Sequence, residues 1–264
     1  MTSETLCPVL VGTSGYSYTE WVDSGFYPQG TRTPEMLNIY ARSFPIVELN
    51  YTWYQMVRAE AISRMISKAP EEFLFAAKLT RTLTHERDRN WQQEVKKYRE
   101  GIRPLQRQLT VILIQLPSSF DWSRNNRYYL AHLLDSLHGF PLAVEFRHVS
   151  WVRDSVFAEL EKRHVTLVTV DAPPVRGLFP CLDVVTNPDL FFVRFHGRNK
   201  QGWQSENIQK KFDYCYTDEE LQQWNEQYLN PLRRNADRGV VFFNNHVRAQ
   251  APANGKFFQE MLLQ

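Results

Sequence analysis

The segments LAVEFR, at residues 142–147, and FFVRFH, at residues 191–196, alternate bulky apolar side chains with small or polar ones. A period of two is typical of a β-strand. In both segments the charged side chains stand near the C-terminal end: Glu145 and Arg147 in the first, Arg194 in the second. In a closed barrel the bulky apolar face packs against surrounding helices and the other face points inward. The two segments therefore predict parallel strands that end in an inward-facing polar cluster.

Apolar and β-branched runs of this kind recur along the whole chain and predict eight strands, at residues 10–15, 46–53, 74–79, 110–116, 142–147, 166–171, 190–196 and 240–246. Helical patterns separate them, at residues 34–43, 59–68, 91–108, 125–137, 154–163, 218–235 and 253–263. Dividing 264 residues by eight strands gives about 33 residues for each strand and its connection, which is the size of a βα repeat. We expect an α/β fold, a TIM-like (β/α)8 barrel that forms a single domain over residues 1–264.

Two features refine this prediction. The alternative, an open doubly wound sheet, normally carries a Gly-x-Gly-x-x-Gly turn after its first strand, and that motif is absent here. Residues 172–189 contain four prolines, which break a long helix. We therefore expect an irregular loop between strands six and seven.

Composition limits the class of protein. Hydrophobic residues make up 43% and charged residues 23% of the chain, and the formal net charge is +2, which is too balanced to indicate bulk attraction to nucleic acid. No apolar run approaches the roughly 20 residues that span a membrane, and residues 1–10 lack a secretory signal pattern. Three widely spaced cysteines indicate neither a disulfide framework nor a zinc site. We expect a cytoplasmic protein with no membrane partner.

Polar residues cluster near the predicted C-terminal strand ends, where barrel enzymes place their chemistry. Alternation predicts that Asp171 points inward while Val168 and Val170 face the helices, and it leaves the eighth strand without a preferred face. The predicted inward set is Ser14, Glu48, Asn50, Lys78, Gln115, Glu145, Arg147, Asp171, Arg194 and His196. Buried charges need partners or a ligand. The set is therefore either a candidate site or a self-satisfied ion-pair layer.

Several ordered motifs resemble one family, the YecE-like proteins, a domain-of-unknown-function family. The motifs are GTSGY at 12–16, GFYP at 25–28, VELN at 47–50, QLP at 115–117, AVEFRH at 143–148 with Trp151, RFHGRN at 194–199 and NNH at 244–246. The resemblance implies a TIM-like barrel over the whole chain, loosely grouped with sugar-isomerase-like barrels. It implies no particular substrate.

The resemblance also implies site positions beyond the inward set, namely Tyr16, Tyr54, His85, Trp151, Arg198, Trp203, Tyr214, Asn245 and His246. This chain departs from the family pattern at Tyr16, where tryptophan is usual, at Trp53, where phenylalanine is commoner, within residues 211–214, where an arginine-tyrosine pair often precedes the aspartate, and at Ala249, where glycine is common. We expect His85 itself to be exposed.

An excess of cations at one mouth favours an anionic ligand, because arginine presents paired donors to phosphate or carboxylate. We predict an enzyme for a small phosphorylated, sugar-like or nucleotide-like substrate. Its predicted catalytic residues are Glu145 or Glu48 as general base, His196 as proton shuttle and Lys78 or Arg194 as charge stabiliser. The predicted substrate-binding residues are Ser14, Tyr16, Asn50, Tyr54, Arg147, Trp151, Asp171, Arg194, Arg198, Trp203, Asn245 and His246.

Two other hypotheses stay open. In the first, Glu48, Glu145, Asp171, His196 and His246 hold a divalent metal ion for phosphodiester or nucleic-acid chemistry, although no His-Glu-x-x-His motif is present. In the second, the barrel is a non-catalytic binder or sensor of an anionic metabolite. No cofactor is predicted, nucleic acid is the less favoured partner, and the sequence predicts no oligomeric state.

Overall fold

A computed structural model describes residues 6–205 and 207–263 of the chain and shows a closed barrel of eight parallel strands in sequential order. The strands are β1 (Val9–Ser14), β2 (Ile46–Leu49), β3 (Leu74–Lys78), β4 (Leu109–Gln115), β5 (Leu142–Glu145), β6 (Thr166–Asp171), β7 (Phe191–Phe195) and β8 (Gly239–Phe243). Pairing of β1 with β8 closes the barrel. The predicted TIM-like α/β fold is confirmed, with all eight strands inside or within one residue of their predicted bounds.

Helices connect and surround the strands. They are α1 (Glu20–Asp23), α2 (Thr33–Tyr40), α3 (Tyr51–Tyr54), α4 (Ala59–Ile66), α5 (Trp91–Ile102), α6 (Arg124–Ser136), α7 (Asp154–Lys162), α8 (Lys200–Gln204), α9 (Ile208–Phe212), α10 (Asp218–Trp224), α11 (Asn230–Arg234) and α12 (Gln250–Leu262). The predicted helix at 218–235 is split by a π-helical turn, Asn225–Leu229. Pro231 is the second residue of α11, directly after this turn, and has no N–H to donate.

The connection between β6 and β7 contains no helix, as its prolines predict. Thr186 fixes this loop to the start of β6. Its hydroxyl donates to the carbonyl of Val165 at 2.7 Å and accepts from the amide of Leu167 at 2.8 Å. The loop therefore covers one side of the barrel in place of a helix, through these hydrogen bonds and through apolar side chains such as Phe179 and Val184.

Two apolar layers support the site. The outer layer packs strand side chains such as Val47, Val144 and Val193 against the helices. The inner layer fills the lower barrel with Ile46, Ala76, Val111, Leu113, Ala143, Val168, Val170, Phe192, Val240 and Phe242. Gly12 lets β1 approach β2, because a Cβ there would lie 2.2 Å from the carbonyl oxygen of Ile46. The polar residues thus stand above a packed apolar plug.

The predicted orientation of β6 is wrong. Val168 and Val170 belong to the inner layer, so Asp171 points away from the barrel axis. In β8, which the sequence left open, Val240 and Phe242 point inward. Asn244 therefore continues the inward face, and Asn245 the outward one.

No helix in the described part of the chain is both long and apolar enough to cross a membrane. Cys7, Cys181 and Cys215 are free thiols, with no disulfide between them.

Candidate functional site at the barrel mouth

Arg194 joins two carboxylates at the centre of the barrel mouth. It donates from Nε to Glu48 at 2.8 Å and from Nη2 to the other oxygen of Glu48 at 2.6 Å. Its Nη1 donates to Glu145 at 2.5 Å. Glu48 and Glu145 are fully buried and Arg194 is 1% exposed, and the hydroxyl of Ser14 lies 3.4 Å from Nη2. This paired geometry brings together three of the predicted inward residues and also shows that they satisfy one another.

A second group of polar side chains lies beside this cluster. Arg147 forms an ion pair with Glu145 through Nε, and its Nη2 lies 3.0 Å from Nε2 of His196. The amide of Asn244 lies 3.0 Å from Nδ1 of the same imidazole. The guanidinium of Arg147 and the amide nitrogen of Asn244 are both donors, so each ring nitrogen of His196 faces a donor group. His196 is therefore held in one orientation.

Burial and neighbouring charges shift the pKa values of Glu145 and His196. Burial raises the pKa of Glu145, but Arg147 and Arg194 outweigh it and hold that pKa well below 4.5. Burial, followed by the same two guanidinium groups, holds the pKa of His196 well below 6.5. A general base works best with a pKa near the operating pH. The geometry thus favours Glu145 and Glu48 as anchors of the arginines over their predicted role as base.

Above the cluster lies a pocket of about 430 Å³ at the C-terminal mouth of the barrel. Lys78, Arg147 and Lys211 supply three cations to its lining, with Trp53, Tyr54 and Trp203 as the main aromatic side chains. No aspartate or glutamate of the described residues lines it. The pocket is large enough for a small metabolite. Its surface is cationic because the nearby carboxylates lie beneath it and are already paired.

Lys78 is a titratable group of this pocket with a pKa close to neutrality. Burial, together with the neighbouring Arg194, lowers its pKa from 10.5 to about 7, against the opposing effect of Glu48 and Glu145. The ammonium nitrogen lies 5.2 Å from the centre of the Trp53 ring. At neutral pH the side chain is therefore present both as ammonium and as free amine. Lys78 fits acid–base chemistry better than either buried glutamate.

The segment that contains α8 and α9 forms one wall of the pocket. Trp203 lies between two cations, with its ring 5.3 Å from the guanidinium of Arg147 and 4.1 Å from Nζ of Lys211. Burial, followed by Arg147, lowers the pKa of Lys211. The predicted position Trp203 therefore does lie at the mouth, and Lys211 adds a cation that the inward-facing pattern did not identify.

Asp171 and Arg198 do not enter this pocket. Arg198 donates from Nη2 and Nε to Asp171, at 2.8 Å and 3.0 Å, and the hydroxyl of Tyr216 donates to the same carboxylate at 2.6 Å. Arg198 also forms an ion pair with Glu220. Because Asp171 points outward from β6, this cluster ties the segment after β7 to the outside of the barrel. Its role here is structural support of the pocket wall.

We expect Asp171→Asn to lower the free energy of unfolding by about 1.5 to 3 kcal/mol, because Arg198 loses a charged partner in a largely buried pair. Hydrogen exchange should also become faster in α8 and α9, because their anchor is weakened. Urea unfolding and hydrogen–deuterium exchange measure both effects. Asp135→Asn is the matched control, since Asp135 forms an exposed pair with Arg163. Equal behaviour of the two variants would contradict the anchoring role.

Other predicted positions lie elsewhere. Trp151 is buried, stacks between Phe120 and Phe146, and donates to the carbonyl of Phe120. Tyr16 is half-buried beside α2 and α4. Neither side chain lines the pocket. Both residues serve to pack the surrounding structure.

Two further predicted positions follow β8 and do not line the pocket. Asn245 is fully buried and donates to the carbonyl of Tyr214 and to Asn254. His246 stacks on Tyr18 with ring centroids 4.8 Å apart. Asn50 follows β2 at the start of α3 and is half-buried. Of the predicted aromatic positions, Tyr54 and Trp203 line the pocket.

The sequence analysis missed two contacts. Asn244, the neighbour of the predicted Asn245, is the residue that contacts His196. The sequence pattern did not show which residues of β8 point inward, and that information would have identified Asn244. His85 is half-buried and lines the pocket instead of being exposed. Burial, followed by Lys78, lowers its pKa to about 4. The family resemblance, which places a site residue at His85, was the signal in the sequence that pointed to this position.

No group of three or more His, Cys, Asp or Glu side chains within residues 6–205 and 207–263 is arranged to hold a metal ion. Arg194 occupies both oxygens of Glu48 and one oxygen of Glu145, while Asp171 and His246 lie outside the cluster. The predicted metal-ligand set is therefore not brought together by the described residues.

Comparison with known proteins gives consistent matches over this fold. The family model described as "Protein of unknown function DUF72" matches residues 10–264. UPF0759 protein YunF of Bacillus subtilis (strain 168) is 30% identical over 262 residues, covering 92% of this chain and 93% of YunF. UPF0759 protein YecE of Escherichia coli (strain K12) is 28% identical over 179 residues, covering 65% of this chain and 62% of YecE. A crystal structure of a DUF72 family protein from Thermotoga maritima MSB8 has a TM-score of 0.87 and 35% identity, covering 97% of this chain and 100% of that one.

Proposed function

The chain belongs to the DUF72 family, and we propose that it is an enzyme that binds a small anionic, phosphorylated sugar-like or nucleotide-like substrate at the barrel mouth and acts on it by acid–base chemistry. The observation that carries this proposal is the pocket of about 430 Å³ lined by Lys78, Arg147 and Lys211, with no acidic side chain of the described residues in its lining. A concave site lined by cations and by no acidic side chain favours an anion.

The side chains divide into binding and positioning roles. Arg147 and Lys211 attract the anionic group, while Trp53, Tyr54 and Trp203 offer flat faces for a ring. Glu48 and Glu145 hold Arg194 and Arg147 in place, so their contribution is orientation and not proton transfer. This assignment differs from the general-base role expected from the sequence and rests on the paired geometry of both carboxylates.

Lys78 is the proton-transfer group in this proposal. With a pKa of about 7, it exchanges a proton with a substrate under neutral conditions more readily than an ordinary lysine. His196 orients Arg147 through Nε2 and stays neutral. The proposed catalytic chemistry therefore centres on Lys78, with the buried ion pairs as its support.

Anion binding is tested with sulfate, because its charge is constant between about pH 6 and about pH 8.5. We expect isothermal titration calorimetry to show sulfate binding that weakens as the pH rises and Lys78 loses its proton. Lys78→Met should weaken binding by about tenfold or more at about pH 6, since a cation near a doubly charged anion contributes at least about 1.4 kcal/mol. The variant should also remove most of the pH dependence.

Two control variants distinguish sulfate binding in the pocket from attraction by the overall charge of the protein. Lys211→Met should weaken sulfate binding while retaining the dependence on pH. Lys96→Met, on the exposed surface of α5, should bind sulfate like the unmodified protein at matched ionic strength. Sulfate binding that is unaffected by Lys78→Met and Lys211→Met would reject the pocket as the anion site.

A non-catalytic binder is the second candidate, favoured because the pKa values of Glu145 and His196 are both held well below their ordinary values. A screen of phosphorylated sugars and nucleotides separates the two candidates. Turnover of a compound that competes with sulfate, and its loss in Lys78→Met, is expected of the enzyme. Tight binding of such a compound without turnover, with the pocket intact, is expected of the binder.

A further inference from the structure

We propose that Lys78 forms an imine with a carbonyl compound that carries a phosphate or carboxylate group. Lys78 ends β3, and its side chain lines the pocket where the substrate would lie. The inference rests on the proposed anion site and goes further, since it names the reacting group of the substrate and makes Lys78 a covalent catalyst.

The surroundings of Lys78 leave its amine available. Among the described residues, its Nζ has a ring contact with Trp53 and no ion pair or hydrogen bond. The two nearby carboxylates, Glu48 and Glu145, are occupied by Arg194 and Arg147. A lysine that lies beside guanidinium groups and is partly removed from water loses its proton more easily and becomes a nucleophile. The lowered pKa of Lys78 agrees with this geometry.

Imine formation needs no partner besides the carbonyl compound. The lone pair of Nζ adds to the carbonyl carbon, and the carbonyl oxygen takes up the proton that the nitrogen loses. The resulting carbinolamine then loses water, which leaves a C=N bond between Lys78 and the substrate. Protonation of the imine nitrogen gives an iminium ion that withdraws electrons from the adjacent carbon. Cleavage or isomerisation next to a carbonyl is the reaction class that such an intermediate serves.

The rest of the pocket selects for an anionic carbonyl compound. Arg147 and Lys211 line the same pocket as Lys78. When the substrate's phosphate or carboxylate contacts these two cations, its carbonyl group can face Lys78. A neutral aldehyde lacks this attraction and reacts with Lys78 less often. The structure thus predicts preference between two aldehydes that differ only in charge.

Reductive trapping tests the inference on the full chain. The probes are pyridoxal 5′-phosphate and pyridoxal, which share an aldehyde and differ by the phosphate, and sodium borohydride reduces an imine to a stable secondary amine. We expect peptide mass spectrometry to find Lys78 as the preferred site with pyridoxal 5′-phosphate. Labelling should be at least about tenfold lower with pyridoxal and should fall when sulfate is added. Surface lysines such as Lys96 provide the internal reference in the same sample.

The outcomes distinguish the two proposals. Labelling of Lys78 that depends on phosphate and is reduced by sulfate supports the inference, and Lys78→Met should then remove this site while leaving labelling of Lys96 unchanged. Sulfate binding to the pocket without preferential labelling of Lys78 would overturn the imine and leave the anion site standing. Absence of both sulfate binding and selective labelling would overturn both. Because the labelled site is read in the unmodified chain, the conclusion does not depend on whether the variant folds.

Discussion

Arg194→Met is expected to lower the free energy of unfolding by about 3 to 5 kcal/mol, because it leaves buried carboxylates without their shared partner. Glu48 would lose both of its guanidinium contacts, while Glu145 would retain Arg147. Urea unfolding at neutral pH, followed by circular dichroism, measures this change. A second substitution tests whether the loss comes from the unpaired charge on Glu48. The variant should recover part of its stability when Glu48 is also changed to Gln, since the unpaired charge is then removed.

Arg163→Met is the matched control for this measurement. Arg163 forms ion pairs with Asp135 and Glu159 on the surface, where such pairs contribute about 1 kcal/mol or less. A loss in Arg194→Met as small as that in Arg163→Met would show that the central cluster is not the buried, paired network described here.

Lys78→Met is expected to raise the free energy of unfolding below about pH 7, by up to roughly 5 kcal/mol at about 1.4 kcal/mol for each pKa unit. The pKa of Lys78 is lowered from 10.5 to about 7 by burial and by Arg194. Between these values the unfolded chain binds more protons than the folded one, so stability rises with pH. The buried ammonium therefore lowers the free energy of unfolding by its full amount below about pH 7, and this effect disappears as the pH approaches 10.5.

The measurement is the difference in unfolding free energy between Lys78→Met and the unmodified protein at about pH 6 and about pH 9. We expect a stabilised variant at the lower pH and a smaller difference at the higher pH. Lys211→Met, in the same pocket, shows how the loss of another partly buried lysine changes the unfolding free energy. A destabilised Lys78→Met at both pH values would contradict an unfavourably placed ammonium. Stability gained by removing a functional group is a common trade-off.

The architecture follows from local patterns that the chain repeats. In β5 and β7, bulky apolar residues alternate with Glu145 and Arg194, and the structure keeps that alternation on both faces. The same rule failed in β6, because Val168 and Val170 fill the inner layer while Asp171 pairs with Arg198 outside. Period two defines two faces, but it does not say which one is inward when a loop replaces the covering helix.

The site could be located from sequence only in outline. The C-terminal strand ends do bring Glu48, Glu145 and Arg194 together, as the pattern predicts. Their mutual pairing depends on distances across the barrel, which no local pattern contains. The difference between Asn244 and Asn245 follows from one residue of strand register, and the contribution of Lys211 depends on how α9 packs over the mouth. Such contacts arise from tertiary structure.

The most direct test of the proposed anion site is a crystal of the protein soaked in selenate at about pH 6, where Lys78 is protonated, with data collected at the selenium absorption edge. Selenate has the charge and shape of sulfate, and its selenium atom gives an anomalous signal. We predict an anomalous peak in the mouth pocket, within hydrogen-bonding distance of Lys78, Arg147 and Lys211. Selenate peaks elsewhere on the protein, with none in this pocket, would contradict the account.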